Sequence, residues 1–304
     1  SGGTKGNLVR IPKAGGAPEV MLANINPWSA AFDGASLFIA NQGAYNIVRI
    51  DNPATVSAQS APSGGATSIN TPTVNAVAGT PGTACDFTAN SCGDGGANSG
   101  LAFDFRFLSS NLKSDSNGLY VADQLGNNRG RIRYLNLGGS AATFADVTVG
   151  AGTGNTIVGS GLASPYNGGV ATSATLNSPA GVALDSNGNL FIAEANPSQG
   201  SWLRFVNRGA SSVTLLGQTV APGAIIGINK DGADLANEES TDPNLAYFYT
   251  LQGLKYTSEG LYIVDSNGKS IPPGPSALKT SRLRFLNLSN AAVSFYGGAI
   301  TVNP

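Results

Sequence analysis

Residues 176–207 read LNSPAGVALDSNGNLFIAEANPSQGSWLRFVN and decide the fold of this chain. Two short apolar runs, AGVAL at 180–184 and LFIAE at 190–194, flank an Asn-Gly dipeptide. Asn-Gly between apolar runs favours a tight hairpin, because both residues tolerate the positive φ angles of the turn. A third run, WLRFV at 202–206, alternates one arginine with large apolar residues, which is the period of a β-strand. The stretch therefore predicts three consecutive strands.

The same pattern recurs along the chain. Four apolar blocks end in an acidic or amide residue, and each follows a turn signal: LFIAN at 37–41, LYVAD at 119–123, LFIAE at 190–194 and LYIVD at 261–265. Each block precedes another alternating segment: VRID at 48–51, RIRYLN at 131–136, WLRFVN at 202–207 and RLRFLN at 282–287. We expect β-rich segments such as SSVTLLG at 211–217 and AAVSFYGG at 291–298 to add strands, which gives about four strands to each unit.

A sheet of this kind cannot bury both faces alone, so successive units must stack face to face, and a ring of such sheets is a β-propeller. The best-preserved unit runs from Asn167-Gly168-Gly169 to Asn207 and closely resembles the NHL repeat, including its Gly-rich lead-in and the PAGVALD and NLFIA strands. The resemblance covers residues 100–300 well and the first 75 more loosely. It implies an all-β propeller of four-stranded antiparallel blades, usually five or six in a ring.

We predict one domain over residues 1–304, with a partial blade at 1–24 and complete blades at 25–80, 100–160, 175–230 and 245–304. NLVRI at 7–11 matches NIVRI at 46–50, so the first unit begins at its third strand, and AITVNP at 299–304 is expected to be an outer strand. Three explanations stay open: a segment cut from a longer chain, a ring closed by one two-stranded blade, or strands shared between subunits.

Composition excludes several partners. Charged residues are 12% of the chain and the net charge is −1, so no charged field favours nucleic acid. No apolar run approaches the roughly 20 residues of a membrane helix, so membrane insertion is not expected. Cys85 and Cys92 lie in a Gly-rich stretch and are predicted to form a local disulfide, with free thiols or half a metal site as alternatives. The disulfide predicts an extracellular or cell-surface location, with the periplasm as the alternative.

Five arginines follow the repeated blocks, and acidic residues end three of the blocks. We interpret them as structural brackets, ion pairs repeated in each blade; a ring of arginines that binds anionic ligands is the alternative. The residues are Arg10, Arg49, Arg133, Arg204, Arg284, Asp123, Glu194 and Asp265.

Histidine is absent from the chain, which excludes Ser-His-Asp, Cys-His and His-based zinc mechanisms. No catalytic, metal or cofactor residue is predicted. Calcium is the one alternative, at the Asp-Ser-Asn-Gly segments 115–118, 185–188 and 265–268, although a hairpin turn explains the first two. The sequon Asn287-Leu288-Ser289 follows a strand, where a glycan could be attached.

These observations predict a non-catalytic extracellular propeller that binds a protein or a glycan, or copies of itself. Self-assembly into a homo-oligomer or a surface filament through exposed blade edges is the sharper form of this hypothesis. The rival is a histidine-free, calcium-dependent hydrolase or lyase with carboxylates in the central channel.

Overall fold

The computed structural model describes residues 6–54, 74–79, 92–101, 112–126, 129–160, 169–195, 201–229, 242–266, 270–271, 278–279, 281–289, 291–295 and 300–303. These residues form 25 strands and three short 3-10 helices, and none of them belongs to an α-helix. Consistent with this, no helix in the described ranges is long and apolar enough to span a membrane. The all-β prediction is confirmed.

Four antiparallel sheets form the blades of a β-propeller, as the sequence predicted. Within each blade, neighbouring strands pair in chain order. Blade 1 is β3 (Pro27–Phe32), β4 (Ser36–Asn41), β5 (Asn46–Asp51) and β6 (Val74–Ala78). Blade 2 is β7 (Leu112–Ser114), β8 (Gly118–Gly126), β9 (Arg129–Asn136) and β12 (Gly154–Val158). Blade 3 is β13 (Pro179–Leu184), β14 (Leu190–Glu194), β15 (Trp202–Val206) and β18 (Ile225–Gly227). Blade 4 has three strands in the described residues, β19 (Thr250–Tyr256), β20 (Gly260–Ser266) and β23 (Arg282–Asn287).

A two-stranded sheet precedes blade 1, and we call it the half-blade. It pairs β1 (Gly6–Arg10) with β2 (Glu19–Ile25), which correspond to the third and fourth strands of a complete blade. The predicted partial blade is therefore present. The 3-10 helices lie in connections: η1 (Gln42–Ala44) between β4 and β5, η2 (Asn98–Gly100) before blade 2, and η3 (Ala171–Ser173) before blade 3.

The predicted hairpin at 187–188 joins β13 to β14, with Leu184 opposite Leu190. Asp185 closes its turn, because Oδ1 accepts hydrogen bonds from the backbone N–H groups of Asn187 and Asn189, both at 2.8 Å. Since side chains alternate along each strand, Phe191 and Ala193 face one neighbouring blade while Leu190 and Ile192 face the other.

Four hydrophobic clusters fill the spaces between successive sheets. Each cluster draws residues from two neighbours, so the stacking order follows the chain. The clusters include Met21 and Ile39 between the half-blade and blade 1, Phe38 and Leu119 between blades 1 and 2, Tyr134 and Val182 between blades 2 and 3, and Phe205 and Phe248 between blades 3 and 4. The sheets thus follow one another in an arc, and within the described residues neither a cluster nor a strand pairing joins blade 4 to the half-blade or to blade 1.

The segments SSVTLLG and AAVSFYGG were expected to supply blade strands, and this was wrong. They begin two-stranded hairpins that lie outside the blade sheets. Outer hairpins are β10 (Ala142–Phe144) with β11 (Val147–Val149), β16 (Val213–Leu215) with β17 (Gln218–Val220), and β24 (Val293–Phe295) with β25 (Ile300–Val302). A further hairpin, β21 (Ser270–Ile271) with β22 (Leu278–Lys279), connects β20 to β23. The segment AITVNP therefore completes an outer hairpin and is not the fourth strand of blade 4.

One asparagine anchors each outer hairpin. Asn207 follows β15, and its Nδ2 donates to the carbonyls of Ser211 at 2.8 Å and Val220 at 2.9 Å. Asn136 and Asn287 make the same pair of bonds in blades 2 and 4. This arrangement corrects the interpretation of the sequon, because Asn287 is buried and both hydrogens of the amide that would carry a glycan are already donated.

Candidate functional site

The predicted bracket of blade 3 is a buried ion pair. Arg204 Nε donates to Glu194 Oε1 at 2.5 Å, and the two side chains are 4% and 1% exposed. Glu194 Oε2 also accepts the backbone N–H of Asn177 at 2.6 Å, at the start of the same blade. Burial raises the pKa of Glu194, against the opposing effects of Arg204 and of this N–H. The pair therefore ties the ends of β14 and β15 to the segment that leads into β13.

Blade 4 repeats this arrangement with a shorter acid. Arg284 Nη2 lies 3.0 Å from Asp265 Oδ2. Asp265 Oδ1 accepts the backbone N–H groups of Tyr249 at 2.9 Å and Thr250 at 3.1 Å. The last residue of the apolar block thus accepts hydrogen bonds where the blade begins and also holds an arginine from the third strand.

Blade 2 has a larger cluster, which includes a residue that the sequence analysis did not select. Arg131 and Arg133 both lie 3.4 Å from Asp123 Oδ2. Asp94 adds a second carboxylate, with Oδ1 2.7 Å from Arg133 Nη2 and Oδ2 2.6 Å from the donating hydroxyl of Thr156. Two glycines with positive φ flank Asp94 in the connection before the blade, and that Gly-Asp-Gly pattern was the available signal. Burial lowers the pKa of Arg133, while Asp123 and Asp94 oppose that shift.

Arg49 does not occupy the place that the repeat predicted. Arg133, Arg204 and Arg284 stand opposite the third residue of the preceding block, whereas Arg49 stands opposite the second, Phe38. A shift of one residue reverses the face on which a side chain lies, and Val48 takes the interior position. Arg49 instead pairs with Asp51 at 2.9 Å, and its side chain is 36% exposed.

The block of blade 1 ends in Asn41, which explains why that blade can do without the arginine. Asn41 Oδ1 still accepts the backbone N–H of Asn26 at 3.1 Å, but an amide carries no charge to be neutralised. Arg10 also has a different partner from the one implied by the repeat. It forms an ion pair with Glu19 of β2 and donates to the carbonyls of Pro53 and Ala54.

A ligand could not reach the buried arginines without displacing protein carboxylates. Arg133 and Arg204 are nearly or fully buried, and every one of the five predicted arginines has a carboxylate partner. These contacts favour the structural interpretation of the brackets over an anion-binding ring.

The turn carboxylates considered for calcium are engaged in the turns themselves. Asp115 Oδ1 accepts the N–H groups of Asn117 and Gly118, both at 2.8 Å, as Asp185 does in blade 3. In the part of the chain that the structure describes, no group of three or more acidic, His or Cys residues could hold a metal ion. Cys92 is buried, and its backbone carbonyl accepts from Arg133 at 3.1 Å. Its predicted partner Cys85 lies outside the described residues, so the disulfide stays a prediction.

Exposed apolar side chains concentrate at the two ends of the arc. The described residues include nine exposed large hydrophobic side chains, and seven of them lie on or next to the half-blade, blade 1 and blade 4 with its outer hairpin. We call those of the half-blade and blade 1 the first face: Val9, Ile11, Trp28 and Phe32. We call those of blade 4 and its outer hairpin the last face: Val264, Leu283 and Ile300.

The last face repeats a surface that is buried elsewhere in the molecule. Leu283 of β23 corresponds to Leu203 of β15, since each stands one residue before the bracket arginine. Leu203 is 0% exposed beneath blade 4, whereas Leu283 is 71% exposed. Beside β23, a cavity of about 240 Å³ lies along Arg284, Phe285 and Leu286, where the equivalent residues of blade 3 pair with β18. Blade 4 therefore exposes the face that, on blade 3, is covered by the next blade. Among the described residues, no sheet covers this face of blade 4.

No protein-family model and no curated protein matches the chain, so the NHL resemblance stays a prediction. Among solved structures, it is similar to a structural genomics protein of unknown function from Bacteroides thetaiotaomicron, with 15% identity, a TM-score of 0.45, and coverage of 81% of this chain and 48% of that one. It is also similar to a nidogen/laminin complex, with 12% identity, a TM-score of 0.44, and coverage of 85% and 64%. A third is an auxiliary nutrient binding protein from B. thetaiotaomicron, with 12% identity, a TM-score of 0.42, and coverage of 81% and 47%. The chain spans less than two thirds of each of these proteins.

Proposed function

We propose that this protein is a non-catalytic extracellular propeller that binds a second copy of itself, with the last face of one copy against the first face of the next. The observation that carries the proposal is the exposure of Leu283 at a position where Leu203 is fully buried. The extracellular location rests on the predicted disulfide between Cys85 and Cys92.

The two faces are complementary because they are the two halves of one repeated interface. In blades 2 and 3, the face that bears the residue before the bracket arginine, Ile132 or Leu203, packs on the next blade. The last face presents this surface with no described sheet over it. The first face includes the opposite surface of blade 1: Phe32 lies beside Ala31 on β3, and Ala31 faces blade 2, so Phe32 lies on the side of blade 1 on which the half-blade packs.

Burial of these side chains provides the driving force. Removing a Leu or Phe side chain fully from water contributes about 1.5–3 kcal/mol. Three exposed residues on one face and four on the other therefore supply a sizeable hydrophobic contact. Concentrations of exposed large apolar side chains mark interaction sites in soluble proteins.

The contact between the last face of one copy and the first face of the next predicts assemblies of more than two copies. The two faces differ, so the contact is heterologous, and a heterologous contact forms a closed ring or an open filament according to its rotation. Within the described residues, no strand lies next to the outer edge of β23, so a strand edge borders the same surface.

Sedimentation velocity over a wide concentration range tests the proposal. We expect the wild-type protein to form species larger than a monomer as the concentration rises, and Leu283→Glu to stay monomeric because it places a charge in the contact. Val170→Glu is the matched control, since Val170 has an exposed side chain between blades 2 and 3, away from both faces. A wild-type protein that is monomeric throughout, or equal association of both variants, would overturn the proposal.

A further inference from the structure

A cleft of about 700 Å³ lies between blades 2 and 3, beside the outer hairpins. One wall is the turn of the β10–β11 hairpin, with Ala145 and Asp146, and the other is residues 221–224, which lead into β18. Val170 and Arg208 complete the lining. The volume lies in the range that binds small organic ligands, and the walls are largely aliphatic.

Arg208 brings a positively charged group into this cleft. Its guanidinium lies 4.0 Å from the ring centre of Phe144 and 4.9 Å from that of Tyr120. Nη1 donates to Tyr120 Oη at 2.5 Å, and this hydroxyl donates to Asp115 Oδ2 at 2.7 Å. Burial raises the pKa of Tyr120, so the phenol stays neutral and keeps this orientation. The ring contacts and the hydroxyl therefore hold the guanidinium in one place.

No direct ion pair to Arg208 is found within the described ranges, and the Asp115 carboxylate reaches it only through the Tyr120 hydroxyl. The ion pairs found there engage Arg10, Arg49, Arg131, Arg133, Arg204 and Arg284. The Asp146 carboxylate on the cleft wall accepts a hydrogen bond from Thr172 Oγ1 at 2.9 Å and is not within ion-pair distance of Arg208. A fixed guanidinium without a carboxylate partner can form the paired N–H···O bonds by which arginine recognises planar oxyanions.

The blade architecture does not require an arginine at this position. The residue after the hairpin-anchoring asparagine is Leu137 in blade 2 and Leu288 in blade 4. Leu137 packs on the core between blades 1 and 2, and Leu288 on the core between blades 3 and 4. Blades 2 and 4 thus accommodate leucine at the position after the anchoring asparagine. Blade 3 has a charged side chain at the same position, beside a large cleft.

We propose that this cleft binds an organic carboxylate with an apolar body, whose oxygens meet Arg208 while its body lies against Ala145, Val170 and residues 221–224. The acidic side chain of Asp146 on the wall disfavours a doubly charged group such as phosphate. This site is distinct from the first and last faces, so ligand binding here can be tested independently of self-association.

Isothermal titration calorimetry with 4-phenylbutyrate and its neutral amide, 4-phenylbutyramide, tests the small-molecule form of the ligand. A short alanine- and phenylalanine-containing peptide, with its terminal carboxyl free or amidated, tests the peptide form. We expect at least one of the two acids to bind the wild-type protein at least about tenfold more tightly than its amide. The acid that binds identifies the source of the carboxylate.

Arg208→Leu should remove the preference for the acid, and this variant should fold because its sister blades carry leucine there. Arg49→Leu, which removes an exposed paired arginine in blade 1, is the control for net charge and should bind as the wild type does. Val170→Trp fills the cleft without changing charge and should abolish binding, which keeps the proposal testable if Arg208→Leu unfolds. The proposal is wrong if neither acid binds at millimolar concentration, or if Arg208→Leu folds and binds the acid as tightly as the wild type.

Discussion

Removing the guanidinium of Arg204 should destabilise the fold far more than removing that of Arg49, although the two arginines lie in similar sequences. Arg204 is nearly buried against the fully buried Glu194, so Arg204→Ala leaves a carboxylate without its counter-ion. Breaking a buried pair in this way costs about 3–5 kcal/mol. Glu194 keeps the N–H of Asn177, which places the expected loss at about 3 kcal/mol. For a chain of 304 residues this corresponds to a decrease of about 5 °C in Tm.

Arg49→Ala is the matched control. Its ion pair with Asp51 is exposed on both sides, and such pairs contribute about 0–1 kcal/mol. Thermal unfolding followed by circular dichroism, on the wild type and both variants, measures the contrast. Equal decreases in Tm for the two variants would refute the reasoning. They would mean that the buried position of Arg204 and the exposed position of Arg49 have the same effect on stability.

The pH dependence of Arg204→Ala gives an independent check. Burial raises the pKa of Glu194 in the folded state, so the folded protein binds this proton more readily than the unfolded chain. For an acid whose pKa is higher in the folded state, the free energy of unfolding increases as the pH falls from the folded-state pKa toward the unfolded-state pKa. Losing Arg204 raises the pKa of Glu194 further. The difference in the free energy of unfolding between variant and wild type should therefore become smaller as the pH falls toward the ordinary pKa of a glutamate, and a constant difference would contradict the assignment.

Two further substitutions test the packing of the blades. Asn207→Ala removes both hydrogen bonds that anchor the outer hairpin of blade 3, so urea unfolding should show a loss of about 1–3 kcal/mol, whereas Asn187→Ala in the exposed turn should be nearly neutral. Gly130→Ala should destabilise markedly in the same assay, since its Cβ would overlap the ring of Pro179 in blade 3; Gly139→Ala, where no atom lies within 4 Å, is its control and should unfold as the wild type does.

Most of this fold can be predicted from the sequence, because the turn residues and the alternation that determine each hairpin lie close together in the chain. The turn at 187–188 and the alternation in LFIAE and WLRFV determine strands, register and buried faces within about 30 residues. The repetition of the pattern then predicts stacking of sheets, and the half-blade followed from the match between NLVRI and NIVRI.

The predictions from the sequence are wrong or incomplete where the strand register or a side-chain contact depends on a connection or on a segment distant in the chain. Arg49 differs from its counterparts because the four-residue connection between Asn41 and Asn46 sets a different register, which side-chain alternation alone does not reveal. Asp94 reaches its arginines from the connection before blade 2. The outer hairpins are made of three-residue strands, too short for a clear period, although Leu216 and Gly217 with positive φ mark one of their turns. The Arg208 cleft depends on which blades are neighbours, so repeat alignment alone could not locate it.

Mixing two blocked variants tests the head-to-tail contact most directly. Leu283→Glu blocks the last face, and Phe32→Glu blocks the first. Each variant alone should sediment as a monomer, and an equimolar mixture should form dimers but no longer chains, because one free face of each kind remains. A mixture that stays monomeric, or Phe32→Glu alone forming dimers, would contradict the account.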